Sequence, residues 1–144
     1  MRRRALLLLL TSTATCASLI APPSAFATFT NVQYGCDPET AGNACLALQI
    51  DETNQLASAR GATDPNPGYG MVLNYTSLLI SSNGSSYTTL ARGNGIYSSN
   101  YQVVYSGQVS ITGLCGYYNG VLHFTTTADS PFLIFPTGTY RCVT

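Results

Sequence analysis

From Leu46 onward, apolar and polar positions alternate over most of the chain with a period of two, the mark of strands that bury one face. Leu46, Leu48 and Ile50 interleave with Ala47, Gln49 and Asp51, which predicts a half-buried strand ending at a Glu52-Thr53-Asn54 turn. Gln55 to Thr63 reads either as a returning strand with Leu56 inward or as a short helix over 53–60 stopped by Gly61. Leu, Ala and Gln favour the helical alternative. "DPNPGYG", residues 64–70, is a loop, because Pro65 and Pro67 remove backbone donors and Gly68 and Gly70 permit positive φ.

Met71 to Ser82 is the next predicted strand. Its inward phase moves from Leu73 and Tyr75 to Leu78 and Ile80, which places a β-bulge near Thr76-Ser77. Asn83-Gly84 is the preferred pair of a two-residue type I′ hairpin, with Ser85 to Arg92 as the returning strand. "GNGIYSSN", residues 93–100, forms a second loop. Tyr101 to Thr112 then alternates cleanly, with Tyr101, Val103, Tyr105, Val109 and Ile111 on the apolar face and Gly107 allowing a bend. Asn119-Gly120 reads as a turn, and Val121 to Thr127, Phe132 to Phe135 and Thr139 to Thr144 supply the last strands. Seven or eight short strands separated by turns predict an all-β fold, an antiparallel β-sandwich of immunoglobulin-like architecture, with a small barrel as the alternative. The chain has no Trp, which argues against an antibody-type domain with its core Trp.

Residues 1–27 stand outside this pattern. Arg2, Arg3 and Arg4, the apolar run from Leu6 and the small-x-small site Ala25-Phe26-Ala27 predict a signal peptide cut after Ala27. The apolar run is short for a membrane span. The expected product is one secreted, extracellular domain, residues 28–144, with no membrane attachment. An anchor through Cys16 fits less well, because Thr13-Ala14-Thr15 lacks the leucine of a lipobox. Beyond the leader, three arginines (Arg60, Arg92, Arg141) face six acidic residues and there is no lysine, a net charge of −3. Nucleic-acid binding needs clustered basic groups, so that class is excluded as a reading.

Cys36, Cys45, Cys115 and Cys142 remain after the leader, an even number that reads as two disulfides. Four cysteines allow three pairings. The local pairing, Cys36–Cys45 with Cys115–Cys142, is preferred because each bridge closes a loop of turn residues. A nested pairing would pin two sheets together as in immunoglobulin domains. A tetrahedral zinc site is disfavoured by the absence of C-x-x-C spacing, and no metal or other cofactor is expected.

His123 is the single histidine. Catalysis would need a nearby nucleophile and acid, yet the chain has no G-x-S-x-G elbow, and Leu122 and Phe124 claim the inward face of that strand. A small hydrolase using His123, alone or with Glu39 or Glu52 and Arg60 or Arg92 as in secreted ribonucleases, is the enzymatic alternative. Asp37, Glu39, Asp51 and Glu52 lack the spacing of a facing carboxylate pair. Asp64-x-Asn66 offers too few oxygens for calcium. Tyr69, Tyr97, Tyr117 and Tyr118 are the candidate contact residues, since rings in loops bring contact area at low entropy cost. Tyr101 and Tyr105 are expected in the core. The sequence thus points to a non-catalytic binding domain acting through surface loops on an extracellular protein or glycan. The alternative within binding is an inhibitor of an extracellular hydrolase presenting "DPNPGYG" or "RGNGIYSSN".

Overall fold

Residues 28–144 are described by a computed structural model, and the leader read at 1–27 lies outside them. The described chain is all-β. Its strands are β1 (Thr30–Glu39), β2 (Gly42–Asp51), β3 (Leu56–Pro65), β4 (Met71–Ser81), β5 (Thr88–Asn94), β6 (Tyr97–Ser98), β7 (Gln102–Tyr105), β8 (Val109–Ser110), β9 (Cys115–Thr125), β10 (Phe132–Ile134) and β11 (Thr139–Cys142). Two antiparallel sheets form. Sheet A runs β1-β2-β3-β7, with β8 also on β3; sheet B runs β10-β9-β4-β5, with β11 on β9 and β6 on β4.

The sheets pack face to face. Leu46, Met71, Leu73, Leu122 and Phe124 fill one half of the interior, and Leu48, Ile50, Ala57, Ala59, Leu78, Ile111 and Tyr118 fill the other. The β3 residues turned inward are small, and Gly61 continues that row. A Cβ at Gly61 would meet the Thr76 hydroxyl and Leu122, so the absence of a side chain lets the sheets approach there. Segment 53–60 is therefore part of a turn and a strand, not a helix. Its inward row is Ala57, Ala59 and Gly61, and Leu56 is only half-buried. Gln55, at φ 54°, closes the turn.

Both disulfides are local, Cys36–Cys45 and Cys115–Cys142. Each joins residues directly opposite each other in register, on β1 and β2 and on β9 and β11. They staple strands within a sheet and leave the joining of the two sheets to apolar packing.

Four expectations change. The bulge in β4 falls at Asn74 against β9, with a second irregularity between Leu78 and Leu79 against β5. The first of these turns Tyr75 outward and Thr76 inward. Asn83-Gly84 is not a type I′ hairpin: only Gly84 has positive φ, and the connection spans 82–87. Asn83 Oδ1 instead accepts from the backbone N–H of Ser85 and Ser86, at 2.9 and 3.1 Å, so the side chain organises a longer loop. Asn119-Gly120 lies inside β9 and is buried. A Cβ on Gly120 would press on Leu46, while Asn119 donates through Nδ2 to the Phe135 carbonyl at 3.1 Å, bridging the gap between β10 and β11. Finally, 101–112 is broken into β7 and β8. Gly107 has φ 98°, and Ser106 Oγ accepts from the Ala59 N–H at 3.0 Å. Val104 packs on the core, and Tyr101 and Tyr105 point outward, the reverse of the expected phase.

Candidate ligand-binding surface

Register fixes which side chains share the outer face of sheet A. Tyr34 on β1 opposes Ala47 on β2, which opposes Arg60 on β3, which opposes Tyr105 on β7. The next row is Cys36, Cys45, Ala62 and Val103. The row beyond it contains Pro38, Asn43 and Asp64. Large rings stand at the two margins: Tyr34, Tyr101 and Tyr105 are 59, 55 and 54% exposed. The middle is small, with Ala47 at 1% and Ala62 at 4% exposure beneath longer neighbours. Three strand spacings separate the margins, ~14 Å at ~4.8 Å per strand.

The result is a groove of about 440 Å³ bordered by Tyr34, Asn43, Arg60, Asp64 and Tyr101 and floored by Ala62 and the Cys36–Cys45 disulfide. Two contacts hold its rings. Arg60 Nη2 donates to the Tyr101 hydroxyl at 2.7 Å. The Tyr34 hydroxyl lies 3.1 Å from Cys36 Sγ, and because a disulfide sulfur carries no proton, the hydroxyl donates. The remaining N–H groups of Arg60, the Asp64 carboxylate and the Asn43 amide present donors and acceptors along the same hollow. One cation faces one anion, so the groove has no net charge.

The sequence-predicted residues do not gather into one site. Tyr69 and Tyr97 lie at one end of β4, where the Tyr97 ring closes over Gly70 and Val72 pairs with Tyr97. Tyr117 lies at the other end, opposite Ser81, with its ring edge-on to Tyr140 at 5.1 Å. Nine residues of strand separate Val72 from Ser81, ~30 Å at ~3.3 Å per residue. Tyr118 is fully buried, and its hydroxyl donates to the Leu114 carbonyl at 3.1 Å. Burial pushes its phenol pKa upward. A surface ligand does not reach it. Loop 64–70 is tied down by the Asn66 N–H on the Ala41 carbonyl at 2.8 Å and by Asn66 Nδ2 on the Thr40 carbonyl at 3.1 Å.

His123 points to the outer face of sheet B, as its alternation predicts. It is not isolated there. Its ring stacks on Phe132 at 4.4 Å and tilts against Tyr75 at 5.0 Å, and the Arg92 guanidinium sits 4.1 Å over the Tyr75 ring. Nδ1 is buried with no hydrogen-bond partner. The side chain is packed between rings, which is poor placement for a proton carrier that must meet its partner at about 2.6–3.2 Å. Among the described residues, no group of three or more His, Cys, Asp or Glu side chains is placed to hold a metal ion.

Sequence reasoning missed Tyr34, Arg60, Tyr101 and Tyr105 as one surface. A signal was present in the equal two-residue spacing of Tyr34 and Cys36 and of Tyr101, Val103 and Tyr105. Its phase was unreadable, because apolar rings at period two look the same whether they face core or groove. No protein-family model matches the chain, and comparison with curated proteins finds no match.

Proposed function

We propose that the protein is an exported, non-catalytic binding domain that takes a neutral oligosaccharide in the groove of sheet A. The supporting observation is the pairing of exposed tyrosine faces at the groove margins with Arg60, Asn43 and Asp64 between them. A sugar ring offers complementary chemistry: apolar C–H faces for the rings and hydroxyls that both donate and accept for the planar polar groups. The balanced charge favours a neutral ligand over an anionic one. A peptide adding as a strand would need a free sheet edge, whereas the groove lies over the middle strands, whose backbone is already paired. Two disulfides, and the absence of a membrane-crossing helix among the described residues, fit the export that the leader predicts.

Saturation-transfer NMR and calorimetry with cello-, chito-, xylo- and manno-hexaoses test this reading. The expected result is binding of at least one, weakened about tenfold by Tyr34→Ala or Tyr101→Ala and unchanged by Tyr97→Ala. Absence of binding to all four, or binding indifferent to Tyr34 and Tyr101, overturns it. Binding of a peptide at the same tyrosines would reassign the groove to peptide recognition.

A further inference from the structure

The turn between β2 and β3 holds a carboxylate at Asp51 that is 1% exposed. Asp51 Oδ1 accepts from the Asn54 N–H at 3.0 Å, and Oδ2 accepts from Asn54 Nδ2 at 2.8 Å. Oδ2 also receives the backbone nitrogen of Thr28 at 2.6 Å, across a sequence separation of 23 residues. Thr28 is the residue that follows the small-x-small site Ala25-Phe26-Ala27. In an uncut chain that nitrogen is a neutral amide. After cleavage it is an α-ammonium group, carrying a full charge at the same atom.

We propose that Asp51 is the docking site for the new amino terminus, so that removal of the leader converts the Thr28–Asp51 hydrogen bond into an ion pair that fastens the start of the chain to the β2–β3 turn. The inference rests on reading 1–27 as a cleaved leader. A buried carboxylate is costly unless paired, and Asn54 alone brings it no compensating charge. A charge-assisted hydrogen bond is roughly twice as strong as a neutral one. The other charged groups close by are Glu52 and Arg141, which pair with each other at 3.5 Å and line, with Thr28, Thr30 and Thr53, a neighbouring hollow of about 320 Å³. They leave Asp51 to Thr28.

The pH window follows from the two groups. The Asn54 side chain, then its backbone N–H, hold the Asp51 carboxyl below its ordinary 3.8. Its contribution is present above that value and lost as pH falls through the lower, folded-state value. Pairing raises the pKa of the ammonium above its ordinary range of about 7.7–8.0, so the amine's contribution is complete below that range and lost as pH rises through the raised value.

Two measurements test the proposal. Mass spectrometry and amino-terminal sequencing of the chain exported with its own leader should show Thr28 first; any other first residue overturns the proposal for the natural protein. Separately, the α-amino group of a chain beginning at Thr28 is titrated by NMR. Its proton affinity should exceed that of Asp51→Asn by about tenfold or more; equal affinities refute the pair wherever cleavage falls. Should Asp51→Asn fail to fold, Nα-acetylation of the Thr28 chain replaces it. The acetylated chain should melt below the free-amine chain at pH 6 and with it at pH 10, and equal melting at pH 6 also refutes the pair.

Discussion

On the outer face of sheet A the aromatic rings stand apart across a floor of small side chains; on the outer face of sheet B they touch. Tyr34 and Tyr105 are separated by Ala47 and Arg60 in one register row. In sheet B the corresponding row runs Phe132, His123, Tyr75, and each ring is satisfied by the next. The same residue type thus serves two ends. Cross-strand neighbours that contact one another stabilise the sheet and leave little face free. Tyr34 opposite Ala47 and Tyr105 opposite Arg60 have no ring beside them, and both stay exposed. What separates the two surfaces is the side chain opposite each ring, more than the rings themselves.

Each sheet carries one cross-strand disulfide, and removing them in turn breaks the comparison most forcefully. Replacing Cys115 and Cys142 by Ser should cost about 3.5 kcal/mol and replacing Cys36 and Cys45 about 2.7 kcal/mol on the chain-entropy account, measured as urea midpoints. Only the second pair floors the groove, so only the second should also weaken oligosaccharide binding. If the loss at Cys115–Cys142 weakens binding equally, the two faces are coupled through the sandwich and the groove is not an independent site.

A smaller effect sharpens the contrast between two tyrosines. Tyr75→Ala removes a ring that contacts His123 and lies under Arg92, and should cost about 2 kcal/mol. Tyr105→Ala, at an exposed position paired across the strand with Arg60 and not with a ring, should fall within about 0.5 kcal/mol of wild type. Comparable losses in thermal melts would mean that Tyr105 is a packing residue, and the outer face of sheet A would hold its rings as sheet B does.

Much of the architecture was legible from the order of residues. Period-two runs and turn residues identify two antiparallel sheets, and cysteine spacing favours the local pairing that forms. What failed was facing. Tyr101 and Tyr105 were expected inward because they are the largest apolar groups on their strand, yet β3 turns Ala57, Ala59 and Gly61 to the core, and its register with β7 sets Tyr105 opposite the outward Arg60. That pairing is made with a strand distant in sequence and is invisible locally. Asn119-Gly120 misled for a related reason. The pair has the chemistry of a turn, but Gly120 is required by the nearness of Leu46, and Asn119 by a break in the neighbouring strands. The loop tyrosines were recognised singly, whereas a site needs them together, and strand length puts Tyr97 and Tyr117 at opposite ends.

The least effect, and the finest division between the faces, is expected at His123. Its ring contributes contact with Phe132 and Tyr75, while its buried Nδ1 lacks a partner and contributes a desolvation cost. The two contributions separate in two substitutions. His123→Ala removes both and should lose about 1 kcal/mol, because two ring contacts outweigh one unsatisfied nitrogen. His123→Phe keeps the stack and deletes the nitrogen, so it should equal wild type or gain up to about 1 kcal/mol in urea unfolding. A phenylalanine variant clearly less stable than wild type would show that Nδ1 has a partner in solution, and the outer face of sheet B would then hold a polar site where its geometry indicates packing alone.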